Sequence, residues 1–303
     1  MEISRLKVVD LFAGCGGLSK GFENAGFNVV AAFDNWDPAI EVYKQNFSHP
    51  IIKCDLGDSV NFDHIVKYNP DIIIGGPPCQ DFSSAGHRNE SLGRAELTNS
   101  YFDIIELIKP KYFVMENVPR IQKSQLFNPL IEKFKSLGYG LTQTVIDASL
   151  CGVPQQRKRF VLIGEYGAND NFVSDAIENN LANKQMTLHD YFGDSLGFEY
   201  YFRVPRSYNR RGIFSIYEPS MTIRGVDRPV PKGYLGHNAD PIKLNSSIRT
   251  LTVKERSMIQ TFPQDFKFIG SKTTVNQIIG NAVPVKLSEF IGNILKSHIL
   301  NKS

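Results

Sequence analysis

The chain has 303 residues, 42% of them hydrophobic and 21% charged, with a formal net charge of +3. That composition supplies a sizeable core and excludes a disordered or purely solvating chain. No apolar run approaches the ~20 residues of a spanning helix, and residues 1–5 carry no secretory apolar stretch, so a cytoplasmic protein without membrane contact is expected.

The first half alternates β-branched runs with helical patterns, as a parallel sheet with crossover helices does. Residues 7–12 read as a strand, followed by a Gly-rich turn and a helix over about 18–25, stopped by Gly26. Residues 29–34 form the next strand. Asp37 and Pro38 supply the N-cap and first position of a helix ending near Phe47. Strands follow at 51–55, 71–75, 112–116 and 160–164, with helices near 100–108 and 128–137. The polar stretch 81–99, with Gly86 and Gly93, suits a mobile lid.

After Glu165 the pattern changes. Residues 167–183 are polar, and 213–231 are rich in Gly, Pro and Arg without helical periodicity. A second, smaller domain of irregular and β structure is therefore expected over 166–270. The first domain then comprises 1–165 and 271–303, covered by a last helix after Pro284. Charge separates along the same line. Residues 200–256 hold eleven Lys and Arg against four Asp and Glu, whereas 164–199 hold seven acids against Lys184 alone. A basic segment inside a mildly acidic chain points to a docking surface for a polyanion.

Cys15, Cys54, Cys79 and Cys151 include no C-x-x-C pair, so neither a disulfide framework nor a metal site is expected. Three of them read as packing positions. Cys79 differs, because it sits in Gly75-Gly76-Pro77-Pro78-Cys79-Gln80 just after a strand, where two prolines stiffen the backbone. In open α/β sheets ligands lie beyond the carboxyl ends of the strands, so Cys79 is the candidate nucleophile. The turn Asp10-Leu11-Phe12-Ala13-Gly14-Cys15-Gly16-Gly17 lets backbone approach a ligand closely. Asp34, ending the second strand, is placed to hold ribose hydroxyls, and Asp55 to accept from an adenine amine, which together describe an adenosine cofactor. The spacing is not G-x-G-x-x-G, which weakens a nicotinamide reading. Glu116 follows four apolar residues and is desolvated enough for general-acid work. Arg157 and Arg159 point to the same side if that segment is extended.

In this order the motifs resemble those of the cytosine-5 DNA methyltransferases. The resemblance rests on the loop at 10–17, Pro77-Pro78-Cys79-Gln80, Glu116-Asn117-Val118 and Gln155-x-Arg157-x-Arg159. It continues in Arg249-Thr250-Leu251-Thr252 with Glu255, and in Gln277-x-x-Gly280-Asn281-Ala282-Val283-Pro284. It implies a Rossmann-like, mostly parallel α/β sheet of the S-adenosylmethionine-dependent methyltransferase type, with a smaller target-recognition domain. It implies catalytic roles for Cys79, Glu116, Arg157 and Arg159, with Cys79 adding to cytosine C6, Glu116 at N3 and Arg159 at O2. S-adenosylmethionine, leaving as S-adenosylhomocysteine, would be held by Phe12, Gly14, Gly16, Asp34, Trp36, Asp55, Leu56, Pro78, Asn281 and Val283. Duplex DNA with a flipped-out cytosine would meet Gln80, Ser83, Ser84 and Arg88 on one side. On the other it would meet Arg203, Arg206, Arg210, Arg211, Thr222, Arg224 and Arg228. Two positions depart from the family pattern: Asn35 separates Asp34 from Trp36, and Lys254 replaces an arginine before Glu255. One methyltransferase in a chain of this length resembles the bacterial restriction-modification type, which implies a monomer and a cognate restriction endonuclease. The rival readings are a tRNA cytosine methyltransferase, whose Cys-Phe-Thr element is absent after Arg159, and a silent DNA-binding homologue, which has no use for Cys79 and Glu116.

Overall fold

The strand Lys7–Leu11 (β1) buries four of its five residues, and Ile72–Gly75 (β4) and Tyr112–Asn117 (β5) are buried along their whole length. Strands covered on both faces read as continuous apolar runs, which is why these three were legible. The computed structural model describes residues 2–78, 90–125, 127–205 and 210–302, and for 90–96 the backbone alone. Cys79, Gln80, Ser83, Ser84, Arg88 and Arg206 lie outside the described residues.

With Asn28–Asp34 (β2), Ile51–Lys53 (β3), Tyr139–Asp147 (β6) and Lys158–Tyr166 (β8), the chain builds a seven-stranded sheet in the order β3-β2-β1-β4-β5-β8-β6, to which Gln155–Gln156 (β7) does not belong. Pairing is parallel from β3 through β5, while β8 runs antiparallel to β5 with Glu116 opposite Val161. Strand β6 was not foreseen. Its Gly140 and Gln143 interrupt the apolar pattern, and Gly140 is needed because a Cβ there would lie 2.4 Å from the Ala168 carbonyl oxygen. The helix expected from Ser100 begins at Glu90 and runs to Ile108, so half of the expected lid is helical. Good helix formers outweigh the single Gly93 in that stretch.

The chain divides into two compact units: Met1–Ile146, Lys158–Leu181 and Ser288–Ser303 in the first, Asp147–Arg157 and Ala182–Leu287 in the second. This division differs from one placed at 165/166 and 270/271. Residues 166–181 stay with the first unit because Asn171 N donates to Leu141 O and Val173 N to Thr142 Oγ1. Residues 147–157 join the second because Ala182 N and Met186 N donate to Leu150 O and Ser149 O.

From Ser288 onward the last helix, Val285–Asn301, belongs to the first unit, as expected: Ser288 Oγ donates to Leu18 O at 2.7 Å, and a Cβ on Gly21 would lie 2.3 Å from Ser288 Cβ. Its end is anchored on buried Glu165, which takes His298 Nε2 and Lys302 Nζ at 2.7 Å each. On the sheet, Phe113 stacks on Phe134 with ring centroids 4.6 Å apart, and the ring passes directly over Gly164. Each such buried phenylalanine contributes about 2–3 kcal/mol.

The second unit has only short strands. Tyr200–Phe202 (β9) pairs antiparallel with Ile213–Ser215 (β10), and Ser220–Met221 (β11) pairs parallel with β7. Its core gathers Tyr201, Phe214, Ile223, Leu251, Ile259 and Ile279. The helix Val253–Ile259 opens on a capping box of Thr252 and Glu255. Glu255 also takes Arg249 bidentately at 2.6 and 2.9 Å, while the Arg249 guanidinium lies over the Phe198 ring. Burial alone would raise the Glu255 carboxyl, but the bonds from Arg249 and Thr252 hold it below its ordinary range. Among the described residues no helix is long and apolar enough to cross a membrane.

Candidate active site

Strand order reverses between β1 and β4, so the crevice beyond the carboxyl ends of those strands is where a ligand fits in a sheet of this kind. The loop leaving β1 alternates backbone handedness. Phe12, Gly14 and Gly16 have φ of 57°, 56° and 92°. A phenylalanine in the left-handed region costs about 1–2 kcal/mol, and such strain concentrates at functional sites. Gly16 is required sterically, since a Cβ would lie 2.4 Å from the Phe47 ring, whereas no atom of the described residues lies within 4 Å of a Cβ on Gly14.

Two carboxylates brace this loop. Asp10 is fully buried; its Oδ2 accepts from Ser19 N and Oγ at 3.1 and 2.6 Å, tying the end of β1 to the helix Gly17–Asn24. Ser19 Oγ lies 2.7 Å from Tyr43 Oη, which in turn lies 2.6 Å from His49 Nε2. Burial pushes the Asp10 carboxyl up to about 7. Asp34 ends β2 beside this loop. Its Oδ2 accepts from Gly14 N and its Oδ1 from Trp36 N, both at 2.8 Å, and burial raises its carboxyl. Each oxygen accepts from one backbone amide, so Asp34 braces the loop. Trp36 is half-buried at the N-cap of the helix Asp37–Lys44, and Asn35 beside it is exposed. Asp55 is exposed with Oδ1 accepting from Gly57 N, Leu56 is buried beneath it, and Pro78 is exposed.

At the end of β5, register sets the chemistry. Asn117 lies opposite Phe160, and Arg159 just before it brings its Nε to 2.7 Å from Glu116 Oε1. Among the described residues Oε1 is buried without an aligned donor, so its contact with Arg159 is an ion pair rather than a directed hydrogen bond. A Cβ on Gly76 would lie 3.2 Å from Glu116 Oε2, which explains the glycine. Sequence reasoning gave Asn117 no role of its own. It is buried, and its Nδ2 donates to Pro77 O at 2.9 Å while its Oδ1 accepts from Val118 N at 2.8 Å, pinning the loop two residues before Cys79. The signal was present in the motif: a strand-end amide beside a rigid proline loop.

Arg157 does not share the situation of Arg159. It lies in the second unit, buried, and donates to the carbonyls of Ile223, Gly280 and Ala282. β7 ends at Gln156 and β8 starts at Lys158, so the extended-chain argument for a common side does not apply. Asn281 is exposed and Val283 buried in the same unit. Several expected DNA-facing arginines are engaged within the protein. Arg203 donates to Thr222 O, Arg224 to Val204 O, and Arg211 pairs with Glu218 over the Phe214 ring. Thr222 Oγ1 donates to Gln156 O at 2.7 Å. Arg210 and Arg228 are exposed, as are Lys232 and Lys243. The remaining cysteines suit packing roles: burial pushes the thiols of Cys15 and Cys151 up to about 12 and that of Cys54 up to about 11, far from thiolate chemistry.

The family profile described as C-5 cytosine-specific DNA methylase matches residues 6–297. The chain belongs to that family. It is 56% identical over 292 residues to the Type II methyltransferase M.HindV of Haemophilus influenzae, covering 96% of each chain. It is 50% identical over 295 residues to the Type II methyltransferase M.HgiDI of Herpetosiphon aurantiacus, covering 97% of this chain and 95% of that one. Among solved structures, S. pombe Dnmt2 methyltransferase matches with a TM-score of 0.70 at 15% identity, over 96% of this chain and 98% of that chain, a likeness of fold alone.

Proposed function

We propose that the protein transfers a methyl group from S-adenosylmethionine to C5 of a flipped-out cytosine in a specific duplex DNA site. We propose further that it does so as a cytoplasmic monomer, the modifying partner of a restriction endonuclease. The observation that carries this reading is the Glu116–Arg159 pair at the end of β5, with both side chains largely withdrawn from solvent. A carboxyl group and a guanidinium side by side match the adjacent N3 and O2 of cytosine, one able to give a proton and the other to hold an oxygen.

C5 of cytosine is a weak nucleophile. A thiolate adding to C6 moves electron density to C5 and makes it reactive. Cys79 supplies that thiolate, and at an ordinary thiol pKa about a tenth would be ionised near pH 7.5. Glu116 protonates or hydrogen-bonds N3 as the adduct forms, and Arg159 holds O2 while orienting Glu116. S-adenosylmethionine, when bound, supplies an electrophilic methyl on its sulfonium. After methylation a base takes the C5 proton, and the electron pair expels the Cys79 thiolate from C6. The residues around the β1 loop fit the cofactor: left-handed Phe12 and Gly14, half-buried Trp36 and exposed Asp55. Exposed Arg210, Arg228, Lys232 and Lys243 supply the cationic side for phosphates or guanine edges.

The test is incubation with S-adenosylmethionine and a randomised duplex library, read by bisulfite sequencing, with transcript tRNA in parallel. Methylcytosine in one sequence context of duplex DNA is expected. Methylation of tRNA alone, or of neither, would overturn the reading.

A further inference from the structure

A chain of four polar side chains runs from the core of the first unit toward its surface. Asp10 Oδ2 lies 2.6 Å from Ser19 Oγ, which lies 2.7 Å from Tyr43 Oη, which lies 2.6 Å from His49 Nε2. Asp10, Ser19 and Tyr43 are withdrawn from solvent, while the His49 side chain keeps 9% of its surface. Beyond it, His49 Nδ1 stands 3.4 Å from Glu23 Oε1, and the other oxygen of that carboxylate stands 3.5 Å from Lys20 Nζ. Ser19 N also donates to Asp10 Oδ2 at 3.1 Å, so the same contact closes the loop that carries left-handed Phe12, Gly14 and Gly16.

Each hydroxyl gives one proton and accepts another, so the chain has two directions. With Asp10 ionised, Ser19 Oγ donates to the carboxylate, Tyr43 Oη to Ser19 Oγ, and His49 Nε2 to Tyr43 Oη. A neutral His49 ring then turns the lone pair of Nδ1 toward the Glu23 carboxylate. With Asp10 protonated at Oδ2 every donor reverses: the carboxyl donates to Ser19 Oγ, Ser19 to Tyr43 Oη, and Tyr43 to His49 Nε2. The ring proton then sits on Nδ1 and points at Glu23. This second direction buries no charge and opposes no lone pairs. Placing the proton on His49 as an imidazolium would instead leave an anion in the core, and a partly exposed pair with Glu23 returns less than that burial costs. Among the described residues the titratable groups facing Asp10 are Cys15, Asp34, Tyr43 and Tyr101, none of them a cation that compensates it. Burial accordingly pushes the Asp10 carboxyl up to about 7.

We propose that Asp10, Ser19, Tyr43 and His49 form a proton relay that senses pH at the surface and sets how firmly the loop after β1 is held. As pH rises, the Asp10 Oδ2–H bond breaks and its proton passes to Ser19 Oγ. Ser19 gives its own proton to Tyr43 Oη, and Tyr43 gives its own to His49 Nε2. His49 Nδ1 releases its proton to water, so one proton leaves and the relay ends reversed. Glu23 loses its donor at His49, and the new charge on Asp10 faces the Asp34 carboxyl, which braces the same loop through Gly14 N. A closed loop holds the Asp10 proton more tightly than an opened, hydrated one, so opening becomes easier as pH climbs from about 4 to about 7. The relay works without any ligand.

The experiment is NMR of the intact chain with 13C-carboxyl aspartate and 15N-histidine, across roughly pH 5 to 8, a range that spans the Asp10 titration. Asp10 should ionise near pH 7, and the His49 ring proton should move from Nδ1 to Nε2 over the same interval. Protection factors of the Ala13 and Gly16 amides, which donate to Phe33 O and Ala13 O, should fall about tenfold or more over the lower two units of that range. Asp10→Asn offers Ser19 a permanent donor, so His49 should keep its proton on Nδ1 and the protection should stop changing with pH. Tyr43→Phe leaves the ring stacked on Phe47 but removes the link, and it decides the matter if Asp10→Asn does not fold. In that variant Asp10 should still titrate while His49 no longer changes ring nitrogen with it. A purely structural role would lower the melting temperature of both variants and leave the His49 switch in place. An Asp10 already ionised at the acid end of the range, a wild-type His49 that keeps one tautomer as Asp10 titrates, protection independent of pH in the wild type, or a switch that persists in the variants would overturn the proposal.

Discussion

Replacing Asn117 should disable the protein out of proportion to its size. The residue is 4% exposed and holds both Pro77 O and Val118 N. Asn117→Ala removes two hydrogen bonds worth about 1 kcal/mol each and leaves the buried Pro77 carbonyl without its donor, an added cost of about 1–3 kcal/mol. The expected loss is therefore about 3–5 kcal/mol, measurable by urea denaturation followed by the fluorescence of Trp36, the single tryptophan, which lies in the first unit. Asn117→Asp keeps the acceptor for Val118 but sets a carboxylate against the Pro77 carbonyl, so it should do at least as much harm. Because Pro77 lies two residues before Cys79, a displacement of about 1 Å there should lower kcat on the order of 100-fold. KM for S-adenosylmethionine should stay within about twofold, since neither bond involves the cofactor loop. Either variant with wild-type stability and kcat would refute this role for Asn117.

Asp10, pushed up to about 7 by burial, keeps a proton when folded that the unfolded chain releases near pH 4. Stability should therefore fall as pH rises from about 4 to about 7, by up to about 4 kcal/mol, and Asp10→Asn should flatten that slope in denaturation curves across pH. Gly280→Ala would drive a Cβ into the backbone of Arg224 and Gly225, neither of which is a flexible side-chain tip. Thermal melts should show severe destabilisation, and a near-wild-type melt would contradict the packing. Arg228→Ala should weaken duplex binding and, if the side chain meets a phosphate, lower the salt slope by about one. Arg224→Ala should instead lower the melting temperature, because Arg224 holds Val204 O.

Strands β1, β2, β4 and β5 were legible because each is an apolar, β-branched run bounded by glycine or an acid, and Glu116 stood out as the acid closing such a run. What escaped depends on contacts no local pattern encodes. Strand β6 exists at the sheet's end through pairing, despite Gly140 and Gln143. That Asp34 accepts from the backbone amides of Gly14 and Trp36 follows from the turn, which the strand pattern alone does not give. Arg157 and Arg159 look equivalent two residues apart, but the strand break at Arg157 commits one to three carbonyls and the other to Glu116. The arginines over 203–228 make that segment basic. Charge alone does not tell Arg203, Arg211 and Arg224, engaged within the fold, from exposed Arg210 and Arg228.

The central claim is covalent methyl transfer through Cys79. Duplex DNA carrying 5-fluorocytosine at the methylated position, incubated with S-adenosylmethionine, tests it directly, because fluorine at C5 cannot leave as a proton and the thiol cannot be expelled. Intact-mass spectrometry should find wild-type protein joined to the duplex one to one, with the methyl group retained. Cys79→Ser should yield no adduct while still binding S-adenosylhomocysteine. A wild type that methylates unmodified DNA but forms no adduct with the fluorinated duplex, or an adduct that persists in Cys79→Ser, would contradict the account.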